Sequence, residues 1–331
     1  MENYSKDCVV GIDIGGTNTK YGIVNRSGKI LLSRSIPTKG HLPFSDFLSR
    51  STSEIKQHIN NLDSSYECLA VGMGVPDGNF LNGMMHDPPN FSWSNVPIAS
   101  LFSELFECPV VITNDANAAA MGEARYGVAQ KYDHFIEITL GTGLGSGLYV
   151  DGSVVLGHSG HAGEMGHIIV EQGGRQCECG LSGCLEMYVS NKGIMETIKE
   201  CLIRHPESSL NGIIFGDLNG KHIDDAFDNS DKAAVECYQY TGEMLGKGLA
   251  TAVSILSPEA FIFYGGFSNA GERLLASTKN SMNKHLMDVF KGTVTLKVSN
   301  MKEGTGAILG ATALAWDVAD DKIKLTADKT A

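Results

Sequence analysis

In the stretch GHIIVEQGGRQCECGLSGCLEMY, a histidine and three cysteines stand close together: His167, Cys177, Cys179 and Cys184. One neutral imidazole and three thiolates form a closed tetrahedral donor set, the kind that holds a structural Zn²⁺. The C-x-C step is tighter than the usual C-x₂₋₄-C, and Gly180 and Gly183 let both ends of the loop turn inward. A redox pair and plain reduced thiols are the competing readings; outside a thioredoxin-like setting, adjacent thiols rarely serve redox chemistry. The other cysteines, Cys8, Cys68, Cys108, Cys201 and Cys237, are scattered with no disulfide framework, as in a reducing compartment.

A second chemistry lies in two glycine-rich turns, DIGGTNTK from Asp13 to Lys20 and LGTGLGSG from Leu140 to Gly147. Glycine lets backbone N–H groups approach a phosphate without Cβ interference. Gly15, Gly16, Thr17, Asn18 and Lys20 on one turn, with Thr142, Gly143 and Ser146 on the other, could grip a polyphosphate from both sides. Asp13 would sit beside those phosphates, suited to holding Mg²⁺ through water. Neither a Walker A pattern nor G-x-G-x-x-G is present; GMGVPD, from Gly72 to Asp77, lacks the third glycine. A third candidate is Asn114-Asp115, between the strand-like VVIT and the Ala-rich ANAAAMGEARYG. Read from the residues alone, the pair caps that helix or supplies a carboxylate for catalysis.

Alternating strand and helix patterns carry these residues, which indicates an α/β fold. Phe44, Phe47, Leu48, Ile55 and Ile59 have helical spacing, with Ser45 as the expected N-cap. Ile12–Thr17 aligns with Ile138–Gly143, so one strand–glycine turn–strand unit occurs twice, as two related domains facing each other would require. The 331 residues exceed the usual size of one core. Expected boundaries are a small α/β domain over 1–118, rejoined by a C-terminal helix over 304–320, and a large α/β domain over 119–303 with the zinc knuckle at 167–184. With 42% hydrophobic and 19% charged residues the chain is of the soluble globular type. A net charge of −12 argues against nucleic acid or an anionic membrane as partner. No signal peptide or bilayer-spanning apolar run is evident, so a cytoplasmic location is expected.

DIGGTNTK, NDANAAAMGEARYG, LGTGLGSGL, GEMGH and CECGLSGCLE, in this order and spacing, resemble the ROK family (repressors, open reading frames and sugar kinases), its glucokinase-like members most closely. The resemblance runs from about residue 9 to residue 316. It differs at Asp77, where Gly-x-Pro-Gly is usual, in YGGFS, where a third glycine is common, and at Ser146, where glycine is frequent. The resemblance implies a two-domain actin-like ATPase (ribonuclease H-like) fold with ATP and sugar meeting in the interdomain cleft. It implies Asp115 as catalytic base, and Asn90, Asn114, Asp115, Glu164, His167 and Glu186 as sugar contacts. Gly265 and Gly266 would face the adenosine side. Zinc on one ring nitrogen of His167 would leave the other free for a sugar hydroxyl. The implied reaction is phosphorylation of a hexose by ATP, glucose to glucose 6-phosphate. Other hexose kinases (for N-acetylglucosamine, N-acetylmannosamine, mannose, allose or fructose) are the alternative, and behind them stand a ROK sugar-responsive regulator and a non-sugar actin-like ATPase. Implied cofactors are Mg²⁺ and structural Zn²⁺. The implied assembly is a homodimer or higher homo-oligomer, with neither nucleic acid nor membrane as partner.

Overall fold

The structure, a computed structural model, describes residues 6–62, 66–88, 91–301 and 305–322. In chain order the first part comprises β1 (Asp7–Ile14), β2 (Asn18–Asn25), β3 (Ile30–Pro37), α1 (Phe44–Asn60), β4 (Glu67–Gly74), the two-residue strands β5 (Gly78–Asn79) and β6 (Met84–Met85), α2 (Ile98–Phe106) and β7 (Val110–Thr113). Then come α3 (Asp115–Tyr126), β8 (Phe135–Leu140), β9 (Leu144–Val150), β10 (Ser153–Val154), α4 (Glu186–Val189), α5 (Asn191–Arg204), α6 (Gly220–Asp228) and α7 (Lys232–Leu256). The chain continues through β11 (Ala260–Tyr264), α8 (Glu272–His285), β12 (Thr295–Val298) and α9 (Gly306–Ala319).

Two five-stranded sheets result, ordered β3-β2-β1-β4-β7 and β10-β9-β8-β11-β12. In each, an antiparallel hairpin (β1–β2, β8–β9) is flanked by parallel strands (β4 and β7, β11 and β12). Strand order and direction coincide, which is the repeated unit that the paired glycine turns predict.

β1 is apolar on both faces, as a strand covered on both sides must be. Val10, Ile12 and Ile14 face Phe47 and Ile55 of α1 and Ile98 and Phe102 of α2. Val9 faces Ala315 and Trp316 of α9. Gly11 and Gly72, cross-strand partners, let the α9 backbone rest directly on the sheet. A Cβ on Gly72 would collide with the carbonyl of Ala311, and one on Gly11 would lie 2.5 Å from that of Ile308. On its outer side α9 meets α3, where a Cβ on Gly122 would lie 3.0 Å from Gly310 Cα. α3 in turn lies on β8 and β9. The layers therefore run α1/α2, first sheet, α9, α3, second sheet, with the core of α5, α7 and α8 beyond.

One local expectation is corrected. α1 starts at Phe44 with Pro43 as N-cap, and no side chain caps it; Ser45 lies inside the first turn. Pro43, at φ −55° and ψ 142°, already holds the extended-to-helical junction, so the hydroxyl is not needed there.

Replacing Gly72 with Ala should cost about 3 kcal/mol of stability, because α9 cannot retreat without opening both of its interfaces. Gly216→Ala, whose Cβ would meet nothing within 4 Å, should stay within about 0.5 kcal/mol of the parent. Urea midpoints of the two variants check this; equal midpoints would refute the packing argument.

Candidate active site

The strand–helix junction at Asn114–Asp115 points into a cavity of about 530 Å³. Asn114, Asp115, Thr139, Thr142, Gly143, Ser146, Glu164, His167 and Glu186 line it. Asn114 is the N-cap of α3: its Oδ1 accepts the Asn117 N–H at 2.8 Å, which leaves only its Nδ2 to donate into the cavity. Asp115 Oδ1 accepts the Ala116 N–H at 3.0 Å, leaving Oδ2 for the cavity. Both readings of the pair thus coexist, capping by Asn114 and an available carboxylate on Asp115.

β9 presents two different faces. Gly145 and Gly147 face α3, where Cβ atoms would come within 3.1 Å of Ala116 Cβ and 2.6 Å of Ala120 Cβ. Without side chains at these two positions, the N-terminus of α3 reaches the phosphate-type turn at Gly141–Gly143. On the same face Thr139 donates to Glu137 Oε1 at 2.8 Å. Glu137 is fully buried and its Oε2 has no partner. Burial pushes its carboxyl well above the ordinary range; the charges of Glu123 and Asp115 add to this, and the Thr139 bond opposes it. Sequence reading missed Glu137 and Thr139. The signal was a single acid in the apolar run FIEITL, two positions before a threonine that shares its face.

Glu186 opens α4, and its Oε2 accepts the Leu144 N–H at 2.9 Å. His167 closes a short 3₁₀ turn, Met165–His167. Its Nδ1 lies 3.7 Å from Cys177 Sγ, while Cys179 Sγ lies 3.6 Å from Cys184 Sγ. The four donor atoms lie within 4.8 Å of one another. Tetrahedral Zn²⁺ with Zn–S near 2.3 Å separates its sulfurs by about 3.7 Å, so the donor types and spacing fit that ion. Gly180 and Gly183, both at φ +89°, make the left-handed turns that fold the loop onto itself. Nδ1 faces the thiols, so the ring's Nε2 edge is the one left for the cavity that His167 lines.

The other turn lies apart from these lining residues. Gly16, Thr17 and Asn18 are exposed at the β1–β2 turn, Gly15 is half-buried, and Asp13 and Lys20 are cross-strand partners. Asp13 has its carboxyl pushed up to about 6, by burial first and then by the charge of Asp115, with Lys20 opposing. Gly265, at φ +96°, packs against the backbone of Leu140, and Gly266 faces open space. Asn90 lies outside the described residues. Asp77 sits at φ +50° and accepts the Asp87 N–H at 2.8 Å, so it ties the loop that leads toward Asn90.

The ROK family model matches residues 9–318. The chain belongs to the ROK family. A glucokinase of Thermotoga maritima is 32% identical over 311 residues, covering 92% of this chain and 96% of that one. The crystal structure of a ROK family glucokinase from Streptomyces griseus in complex with glucose and AMPPNP superposes with a TM-score of 0.75 at 31% identity, covering 94% of this chain and 99% of that one. The xylose repressor of Bacillus subtilis is 26% identical over 314 residues, 93% of this chain and 77% of that one. This ROK protein has the expected α/β fold of the actin-like ATPases, two domains with a cleft between them. No helix among its described residues is long and apolar enough to cross a membrane.

In the folded protein Glu137 keeps its proton to higher pH than in the unfolded chain. It therefore opposes folding increasingly as pH rises from the ordinary carboxylate value toward its raised one. Glu137→Gln keeps an acceptor for Thr139 and removes this titration. Its stability relative to the parent should rise by about 1 kcal/mol or more between pH 5 and pH 8. Urea unfolding at the two pH values measures the gap, and a constant gap would contradict the assignment.

Proposed function

We propose that this ROK protein transfers the γ-phosphoryl group of ATP to the primary hydroxyl of glucose, with Asp115 as the base. The protein is a sugar kinase; glucose as substrate and the residue roles below are our reading. The observation that carries it is the cavity itself. A free carboxylate oxygen at the start of α3 faces Glu164, Glu186 and the open edge of His167, with a glycine-threonine turn at its rim. Two carboxylates and an imidazole accept from and donate to neighbouring hydroxyls on one sugar face, and Asn114 Nδ2 adds a donor beside the reacting one.

Phosphoryl transfer needs alignment, charge neutralisation and a proton acceptor more than it needs covalent catalysis. Asp115 Oδ2 takes the hydroxyl proton as the sugar oxygen bonds to the γ-phosphorus and ADP leaves. Thr142, Gly143 and the β1–β2 turn, including Gly15, Gly16, Thr17, Asn18 and Lys20, hold the phosphates from opposite sides, and Gly265 and Gly266 border the adenosine. Asp13 beside Asp115 is a pair of carboxylates whose mutual repulsion a divalent cation relieves, so Asp13 fits a Mg²⁺ site. Bound there, Mg²⁺ supplies neutralisation of phosphate charge. His167, Cys177, Cys179 and Cys184 would hold Zn²⁺ in a structural role, keeping the imidazole in one tautomer and orientation.

A coupled ADP-release assay over a panel of hexoses tests the reading. The highest kcat/KM should fall on glucose. A preference for mannose or an N-acetyl sugar would replace the substrate, and ATP hydrolysis indifferent to sugar would overturn the kinase assignment. Asp115→Asn should lose about 10³-fold in kcat while the hexose KM stays within about threefold; steady-state kinetics measure both, and wild-type turnover would exclude the base. Stripping zinc with a chelator should raise the hexose KM and lower the melting temperature together. Full activity in protein shown by metal analysis to be zinc-free would contradict the role given to the knuckle.

A further inference from the structure

The face of β9 opposite its glycines carries Leu144, Ser146 and Leu148, and it abuts the turn that presents Glu164. Glu164 has φ −74° and ψ 52°, and the Met165 N–H donates to the Gly163 carbonyl at 2.8 Å. These are the dihedrals and the i to i+2 bond of an inverse γ-turn with Glu164 at its centre. One hydrogen bond closes the three-residue turn, and the His167 N–H to the Glu164 carbonyl at 3.1 Å continues it on its C-terminal side; neither bond ties the turn to β9. The Ser146 hydroxyl supplies what is missing: it donates to the Gly163 carbonyl and accepts the Met165 N–H at 3.3 Å. One oxygen is bonded to both ends of the turn. Ser146 is 4% exposed, so little water reaches the oxygen to compete for these bonds. The close fit is visible in the backbone as well. Gly163 lies at φ +97°, where a Cβ would come 2.8 Å from the Ser146 carbonyl, and a Cβ on Gly166 would come 2.7 Å from that of Leu144.

We infer that Ser146 is a positioning residue for the sugar: by bracing the turn at Glu164 it sets hexose affinity without taking part in phosphoryl transfer. The inference deepens the proposed function and rests on its assignment of Glu164 to the sugar. Asp115 is held from the glycine face of the strand, through α3, so loss of the hydroxyl leaves the base where it is. Glycine or alanine at this position keeps the strand and leaves the turn with its own backbone bonds and no side-chain tie to β9.

Ser146→Ala, Ser146→Thr and the parent protein, compared by two readouts, test this. In Ser146→Ala the hexose KM should rise about tenfold, with kcat and the ATP KM within twofold. Amide hydrogen exchange across residues 163–167 should accelerate about tenfold, while α3 keeps its parent rate. Ser146→Thr, which retains the hydroxyl, should return both toward parent values. An unchanged hexose KM alongside faster exchange would overturn the link to the sugar, and a matching fall in kcat would make Ser146 part of the chemical step. Unchanged exchange would overturn the brace itself. If the parent phosphorylates no hexose, the proposed function fails by that result alone, and the exchange comparison still decides the role of Ser146.

Discussion

The direct contact of α3 with the glycine face of β9 is the constraint from which the site follows. Side chains at Gly145 and Gly147 would push Ala116 and Ala120 away, and Asp115 at the head of that helix would leave the cavity. With hydrogens there instead, the helix that carries the carboxylate and the turn that would meet the phosphates belong to one rigid body. The same strand reaches the opposite wall of the cavity, through the Leu144 N–H to Glu186 and the Ser146 hydroxyl to the turn at Glu164. Effective molarity in phosphoryl transfer depends on holding acceptor, base and phosphate to within fractions of an ångström. A single strand between Asp115 and the opposite wall would be a short mechanical path for that purpose.

Charge adds a second constraint. The charge of Asp115 acts on both Asp13 and Glu137, that of Glu123 acts on Glu137, and Lys20 opposes the rise at Asp13. Glu123 is buried but satisfied, accepting from the Val128 N–H and from the Ser299 hydroxyl. Glu137 is buried and only half satisfied, so neutralisation by a proton is its cheapest state.

Much of this was legible in the residue order. The two glycine turns and their flanking β-branched runs announced paired hairpins, and both sheets are built around them. His167, Cys177, Cys179 and Cys184 converge as their types and glycine spacing suggested. Local signals did less well where two groups compete for one task. Ser45 had the right type for a cap, yet Pro43 holds that junction with its ring. Asn114 caps and lines the cavity at once, a division of labour between Oδ1 and Nδ2 that spacing does not encode. Ser146 was visible as a hydroxyl among the turn's glycines and as a departure from the usual glycine; neither reading reaches its partners Gly163 and Met165, which lie 17 and 19 positions away and become neighbours only when the turn folds onto β9. Glu137 hides in an apolar strand, and its meaning depends on which face of the sheet α3 covers.

The central claim is that the hexose lies between Asp115 and the metal-braced acids. Its most direct test is a crystal structure of the protein with glucose and a non-hydrolysable ATP analogue. The account predicts the primary hydroxyl at about 2.6–3.2 Å from Asp115 Oδ2, with Glu164, His167 and Glu186 on the other hydroxyls. Glucose bound out of reach of Asp115, or held by none of those three side chains, would contradict it.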